Sequence, residues 1–175
     1  MKSFLLALSL LVTTLVSAQT DKISLHNGKT VEGTVVKVGE FNIIYKYVNE
    51  DAEQTISKYG VAKITYGKSG RVEEITKKIV VSTKEDWESV VILEDKTQVA
   101  GLTKVGEIKG KTSMINYRSA AGSDRKAQEK LKKEAAEQGC PFILMTSDKD
   151  AGMAAGSSRS FGGTQSMKAG VAYKY

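Results

Sequence analysis

Apolar residues follow three rhythms along the chain, and each implies a different element. In MKSFLLALSLLVTTLVSAQT one lysine precedes an unbroken run of apolar and small residues that ends on Val16-Ser17-Ala18. That pattern predicts a secretory leader over residues 1–18, cut after Ala18. A membrane anchor would need about 20 apolar residues and a basic stop, whereas this run closes on Gln19, Thr20 and Asp21. The expectation is an exported protein, periplasmic or secreted. No cysteine follows the cut to take a lipid, so no stable membrane anchor is expected once the leader is gone.

From Asp21 to about Lys78 a period of two takes over. KISLHNGKTVEGTVVKV sets Asn27-Gly28 between two β-branched stretches, which predicts a hairpin. In FNIIYKYV, Phe41, Ile43, Tyr45 and Tyr47 alternate with Asn42, Ile44 and Lys46, which predicts a strand with one fully buried face. QTISKY, VAKITY and RVEEI follow, with Gly60, Gly67 and Gly70 near their joints. Short strands this dense, with no helical period, can curl into a small barrel that hides its edges. Residues 79–88, IVVSTKEDWE, read as a linker or bridging strand, with Trp87 as a core residue opening the next unit.

The third rhythm belongs to residues 89–175. Strands are expected at WESVVIL, at QVAGLTKVGEIKG and at SMINYR. SDRKAQEKLKKEAAEQG then sets Ala127, Leu131 and Ala135 at i, i+4 and i+8, which predicts an amphipathic helix. Ser123 is placed to cap its start, Gly139 to take the left-handed position past its end, and Pro141 to block continuation. CPFILMTS predicts a buried strand, and KAGVAYKY a closing strand with an exposed edge, a route to homo-oligomers. Between them, residues 150–166 are rich in Gly, Ser and Ala and read as a long loop, either a binding flap or a disordered insertion. Met153, Arg159 and Phe161 are its candidate ligand- or partner-binding residues.

Two resemblances sharpen these expectations. The run "ISLHNGKTVEGTVVKVGEFNIIYKY…ISKYGVAKITYGKSGRVEEI" resembles the SH3-like or Sm-like small barrels of exported Bacteroidetes proteins, through NGK-x-x-x-G-x-V, I-x-Y and a terminal I-x-Y-G. It implies a barrel over 21–78 and says almost nothing of a ligand. "VAGLTKVGEI…DRKAQEKLKKEAAEQGCPFILMTSD…GVAYKY" resembles the α/β domain of the YbjQ-type, so-called heavy-metal-binding family and of the stress-sensing lipoproteins of the Rcs system. That likeness implies a fold and an envelope setting. The chain departs from both relatives, with one cysteine for any disulfide and no His/Cys cluster for a metal. The expected fold class is therefore α+β: a small SH3-like β-barrel followed by a compact α/β domain with one main helix packed on a sheet.

Charge and chemistry narrow the function. The chain carries a net +6, and removing Lys2 with the leader leaves 25 basic against 20 acidic residues, or +5. Arg125, Lys126, Lys130, Lys132 and Lys133 form a basic stripe on the helix, but Asp124, Glu129, Glu134 and Glu137 are interleaved, which reads as a solvated face ahead of a polyanion site. Nucleic acid is not an expected partner; an envelope protein or a glycan is. Cys140 is the only cysteine and opens an apolar run, so it reads as buried packing, with a reactive thiol as its functional alternative. His26 is the only histidine and sits beside a turn, where an exposed side chain is expected. No G-x-S-x-G occurs, and Glu73-Glu74 and Glu85-Asp86, being adjacent, point to opposite faces of a strand. No metal, cofactor or catalytic residue is assigned. The reading is a non-catalytic binding or interaction module of the cell envelope; a self-assembling structural protein, a stress-sensor component, and a hydrolase using Cys140 or a loop serine are the alternatives.

Overall fold

The computed structural model describes residues 20–112, 120–151 and 165–175. Six strands come first: β1 (Asp21–Leu25), β2 (Thr30–Val38), β3 (Asn42–Tyr47), β4 (Glu53–Ser57), β5 (Val61–Thr65) and β6 (Val72–Glu74). They form one antiparallel sheet in the order β4-β3-β2-β1-β5-β6. Asn27-Gly28 turns β1 onto β2, with Gly28 at φ +87° and the Asn27 side chain accepting from Lys29 N at 3.0 Å. Ile23, Ile43, Ile56, Val61 and Ile64 are the buried centre of this sheet, joined by Tyr45. The apolar face of β3 is buried only in its middle, since Phe41 and Tyr47 are each 41% exposed.

The second sheet has the order β7-β9-β10-β8, from β7 (Val91–Leu93), β8 (Thr103–Lys111), β9 (Phe142–Ala151) and β10 (Gln165–Lys174). β7 runs parallel to β9, and the other pairs are antiparallel. Helix α1 (Ala120–Glu137) covers one face, burying Ala127, Leu131, Ala135 and Ala136 against Ile108, Ile143 and Ala172. Small residues let it come close. A Cβ at Gly110 of β8 would lie 2.0 Å from the Ala127 carbonyl oxygen. Gly139, at φ +64°, turns the chain out of α1 as expected of its position.

The α+β expectation is corrected: the described chain is mostly β, ten strands in two sheets around one long helix. The strands expected to form a small barrel pair as one six-stranded antiparallel sheet whose order ends at β4 and β6, with β6 along the edge of β5. In the second half, β9 and β10 are each ten residues long, where the polar composition past Ser147 concealed strand. Gln165 pairs with Ala151 and Ser166 with Asp150, so both ends of the loop expected at 150–166 are ladder.

Local expectations shift too. WESVVIL is strand only at Val91–Leu93, because Trp87 lies in a 3-10 turn (Lys84–Ser89). QVAGLTKVGEIKG likewise opens with a 3-10 turn (Lys96–Val99) before β8. SMINYR falls mostly on 113–119, outside the described residues. β10 is not an exposed closing strand, since β9 and β8 flank it, and the basis for edge-mediated self-association there is lost. Nor does Ser123 cap α1. The helix already runs from Ala120, and Ser123 is fully buried inside it, its Oγ without a hydrogen-bond partner among the described residues.

The two sheets share a third cluster. Leu93, Phe142 and Leu144 of the second sheet pack with Tyr59 and Leu102, and with Ile79 of the connecting span, Tyr173 and Tyr175. Phe142 is its hub, with ring centroids 5.4 Å from Tyr59 and 5.3 Å from Tyr175. Hydrogen bonds tie the same seam: Ser57 N donates to the Ala100 carbonyl oxygen at 2.8 Å, and Ile79 N to the Tyr175 side-chain Oη at 2.8 Å. Gly101, at φ +79°, passes so near Ile56 that a Cβ would meet Cγ1 at 2.9 Å.

Two tests follow from this packing. Phe142→Ala should cost about 3–5 kcal/mol, and in urea Trp87 fluorescence and far-UV circular dichroism should report one coincident transition, displaced together in the variant; separated transitions would refute a shared core. Ser123→Ala removes a buried, unsatisfied hydroxyl and improves helix propensity, so Tm should hold or rise. A loss of about 1 kcal/mol in thermal melts would restore the capping role.

Candidate functional site

Three elements bring lysines to one groove. On α1, Lys126, Lys130 and Lys133 stand at i, i+4 and i+7, along one side of the helix. β8 supplies Lys109 and Lys111, and the 3-10 turn before β7 supplies Lys84. With Glu129 and Glu134 they line an open groove of about 630 Å³, six cations against two anions. Close packing at Gly110 brings α1 against β8, the edge strand on which Lys109 and Lys111 alternate with the helix-facing Ile108 and Gly110.

The turn that presents Lys84 and Trp87 is fixed by Asp86, whose Oδ2 accepts from Ser82 N and Thr83 N, both at 2.9 Å. Those bonds hold the Asp86 carboxyl below its ordinary pKa. Trp87 is half-buried against the helix core, and Lys133 Nζ lies 5.3 Å from its ring centroid. Lys133 also pairs with Glu129, one turn away. Lys84 pairs with Glu137 at 2.9 Å, which raises its pKa. Lys130 Nζ donates to Lys111 O at 2.8 Å. For Lys109, Lys111 and Lys126, no ion pair forms among the described residues. Below the groove, Lys168 is buried and meets Asp124 at 2.8 Å, a contact that ties β10 to the start of α1.

Other hollows are satisfied from within. One of about 310 Å³ holds Asp21, whose carboxylate accepts from Val35 N and Gly67 N, and Tyr66, which donates to Glu73 and is covered by Arg71. Another of about 280 Å³, beside Lys78 and Lys174, is lined mainly by Ile79, Val80, Val81 and Pro141.

The residues singled out from the sequence are dispersed. Met153, Arg159 and Phe161 lie outside the described residues. Cys140 is fully buried, its Sγ donating to Gln138 O at 3.5 Å, and burial raises its pKa, so the thiolate nucleophile is disfavoured. His26 is not exposed as its turn implied. It is half-buried at the seam, its ring 5.0 Å from that of Tyr175. Its Nε2 is 3.0 Å from Thr76 Oγ1, whose single proton is already directed at Val61 O (2.8 Å) and Lys58 O (3.1 Å). Thr76 must therefore accept, which places the His26 proton on Nε2. His26 and Cys140 thus have separate partners. Among the described residues no three His, Cys, Asp or Glu side chains group to hold a metal, and no helix is long and apolar enough to cross a membrane.

The strand half of the groove escaped the sequence reading. Alternating acids made the α1 lysines look like a solvated face, and nothing local pairs them with Lys109 and Lys111. The available signal was Lys109-Gly110-Lys111 itself: two cations flanking a glycine, in a strand that a small-residue helix could approach. Compared with family models, curated proteins and solved structures, the chain matches none.

Burial, first, and the Lys78 charge, second, lower the pKa of His26 below 6.5. The unfolded chain therefore binds a proton before the folded one, so stability is full above pH 6.5 and falls as pH drops through the folded pKa. In chemical denaturation between pH 8 and 5, His26→Gln should flatten this decline (range chosen around the ordinary histidine pKa of about 6.5). An unchanged pH profile in the variant would exclude His26 as its source.

Proposed function

We propose that the chain is an exported, non-catalytic binding module of the cell envelope, and that the lysine groove is its ligand-facing surface, taking an anionic partner. One observation supports this above others: six lysines from three elements meet in a groove with two glutamates, and three of the six make no ion pair among the described residues. Folding gains nothing from crowding like charges, so a concentration of cations this local is explained by what it attracts. The described lining holds lysines and glutamates without a serine, cysteine or histidine beside them, and His26 and Cys140 are engaged elsewhere, which favours binding over nucleophilic catalysis of the Ser or Cys type.

The test compares two triple variants of equal charge change. Lys109→Gln/Lys111→Gln/Lys126→Gln should weaken binding to dextran sulfate about tenfold or more at low salt. Lys29→Gln/Lys63→Gln/Lys77→Gln, on exposed sites away from the groove, should change it less than about twofold. Equal losses would mean that net charge alone, and not the groove, governs the interaction.

A further inference from the structure

We infer that the groove binds a linear acidic polysaccharide lengthwise, rather than a discrete anion; this rests on the groove being the ligand-facing surface. The lysines lie in two rows, not in a ring. Lys126, Lys130 and Lys133 extend over about 10 Å of helix axis at 1.5 Å per residue, and Lys109 and Lys111 over about 7 Å of strand. A single small anion would call for convergent donors around one point; two rows flanking an open trough fit successive charges along a chain. All the cations are lysines, mobile point charges without the planar fork that fixes one phosphate or carboxylate in one pose. Such a trough reads charge spacing and tolerates variation in the anion.

Two features choose among linear polyanions. Glu129 and Glu134 lie in the groove with the lysines. They repel anionic charge in general, but their oxygens accept hydrogen bonds from hydroxyl groups, so they favour a chain whose carboxylates are accompanied by hydroxyls over one whose units carry the charge alone. Among the described residues the lining also lacks what the other polymers use. Single-stranded nucleic acid stacks its bases on open aromatic faces, whereas Trp87, the described aromatic whose ring meets a groove lysine, is half-buried and has Lys133 over its ring. An acidic peptide binds through pockets for apolar anchors, and no apolar side chain among the described residues lines this groove.

The experiment titrates the chain with galacturonic acid, size-graded oligogalacturonates, poly-glutamate and a single-stranded DNA oligomer of matched charge, using calorimetry at several salt concentrations. Affinity for the oligogalacturonates should rise at least about tenfold from monomer to the length that fills the groove and then level off, with a log–log salt slope of roughly −2 for three unpaired lysines. Glu134→Ala should weaken the oligogalacturonate and strengthen poly-glutamate. Length-independent binding, or poly-glutamate or DNA binding as tightly as the oligogalacturonate, would overturn the polysaccharide inference; loss of affinity in the Lys109/Lys111/Lys126 variant would then still uphold an anion-binding groove. Binding of none of the four probes would overturn both.

Discussion

The contact between α1 and β8 at Gly110 governs the second half of the molecule. With no side chain at that position the helix backbone rests directly on the strand, and any Cβ there would collide with the Ala127 carbonyl oxygen at 2.0 Å and press on Leu131. Helices usually stand off a sheet by the depth of their side chains. Here Ala127, Ala135 and Ala136 thin the buried stripe, and the gap narrows. Two results follow from one close approach: Leu131 reaches Ile108 and Ile143 to complete the core, and the cationic flanks of helix and strand become the walls of one groove.

The aromatic seam is the corresponding constraint between the sheets. β9 is buried on both faces where it begins, Ile143 toward α1 and Phe142 and Leu144 toward the shared cluster. That double burial accounts for the uninterrupted apolar run before Thr146, as expected of a strand covered on both sides. His26 belongs to this seam by its ring contact with Tyr175, so its protonation bears on cohesion between the sheets and not on chemistry at the groove.

What the sequence revealed and what it concealed divide along the range of the interactions involved. The Asn27-Gly28 hairpin, the stripe of Ala127, Leu131 and Ala135, the turn at Gly139 and the burial of Cys140 are set by neighbours within a few residues, and their patterns could be read. The role of Ser123 depended on where α1 begins, which shifted by a few residues and turned an expected cap into a buried hydroxyl. The edge of the first sheet depended on whether β6 would pair with β5, which three residues of alternation could not announce. The groove depended on strand and helix lysines, such as Lys111 and Lys130, 19 residues apart in sequence, meeting across Gly110.

Charge in the groove is graded, and the grading bears on how it would engage a ligand. Among the described residues, Lys109, Lys111 and Lys126 have no carboxylate to leave. Lys84 and Lys133 are paired with Glu137 and Glu129, but those side chains are partly or largely exposed, and solvent screening leaves ion pairs of that kind weak. An incoming anion can therefore recruit these two lysines by exchange at small cost, after contact with the three that are unpaired. The same internal pairs that made the helix look self-neutralised thus moderate the resting repulsion among the lysines while leaving their charge within reach of a chain laid between α1 and β8.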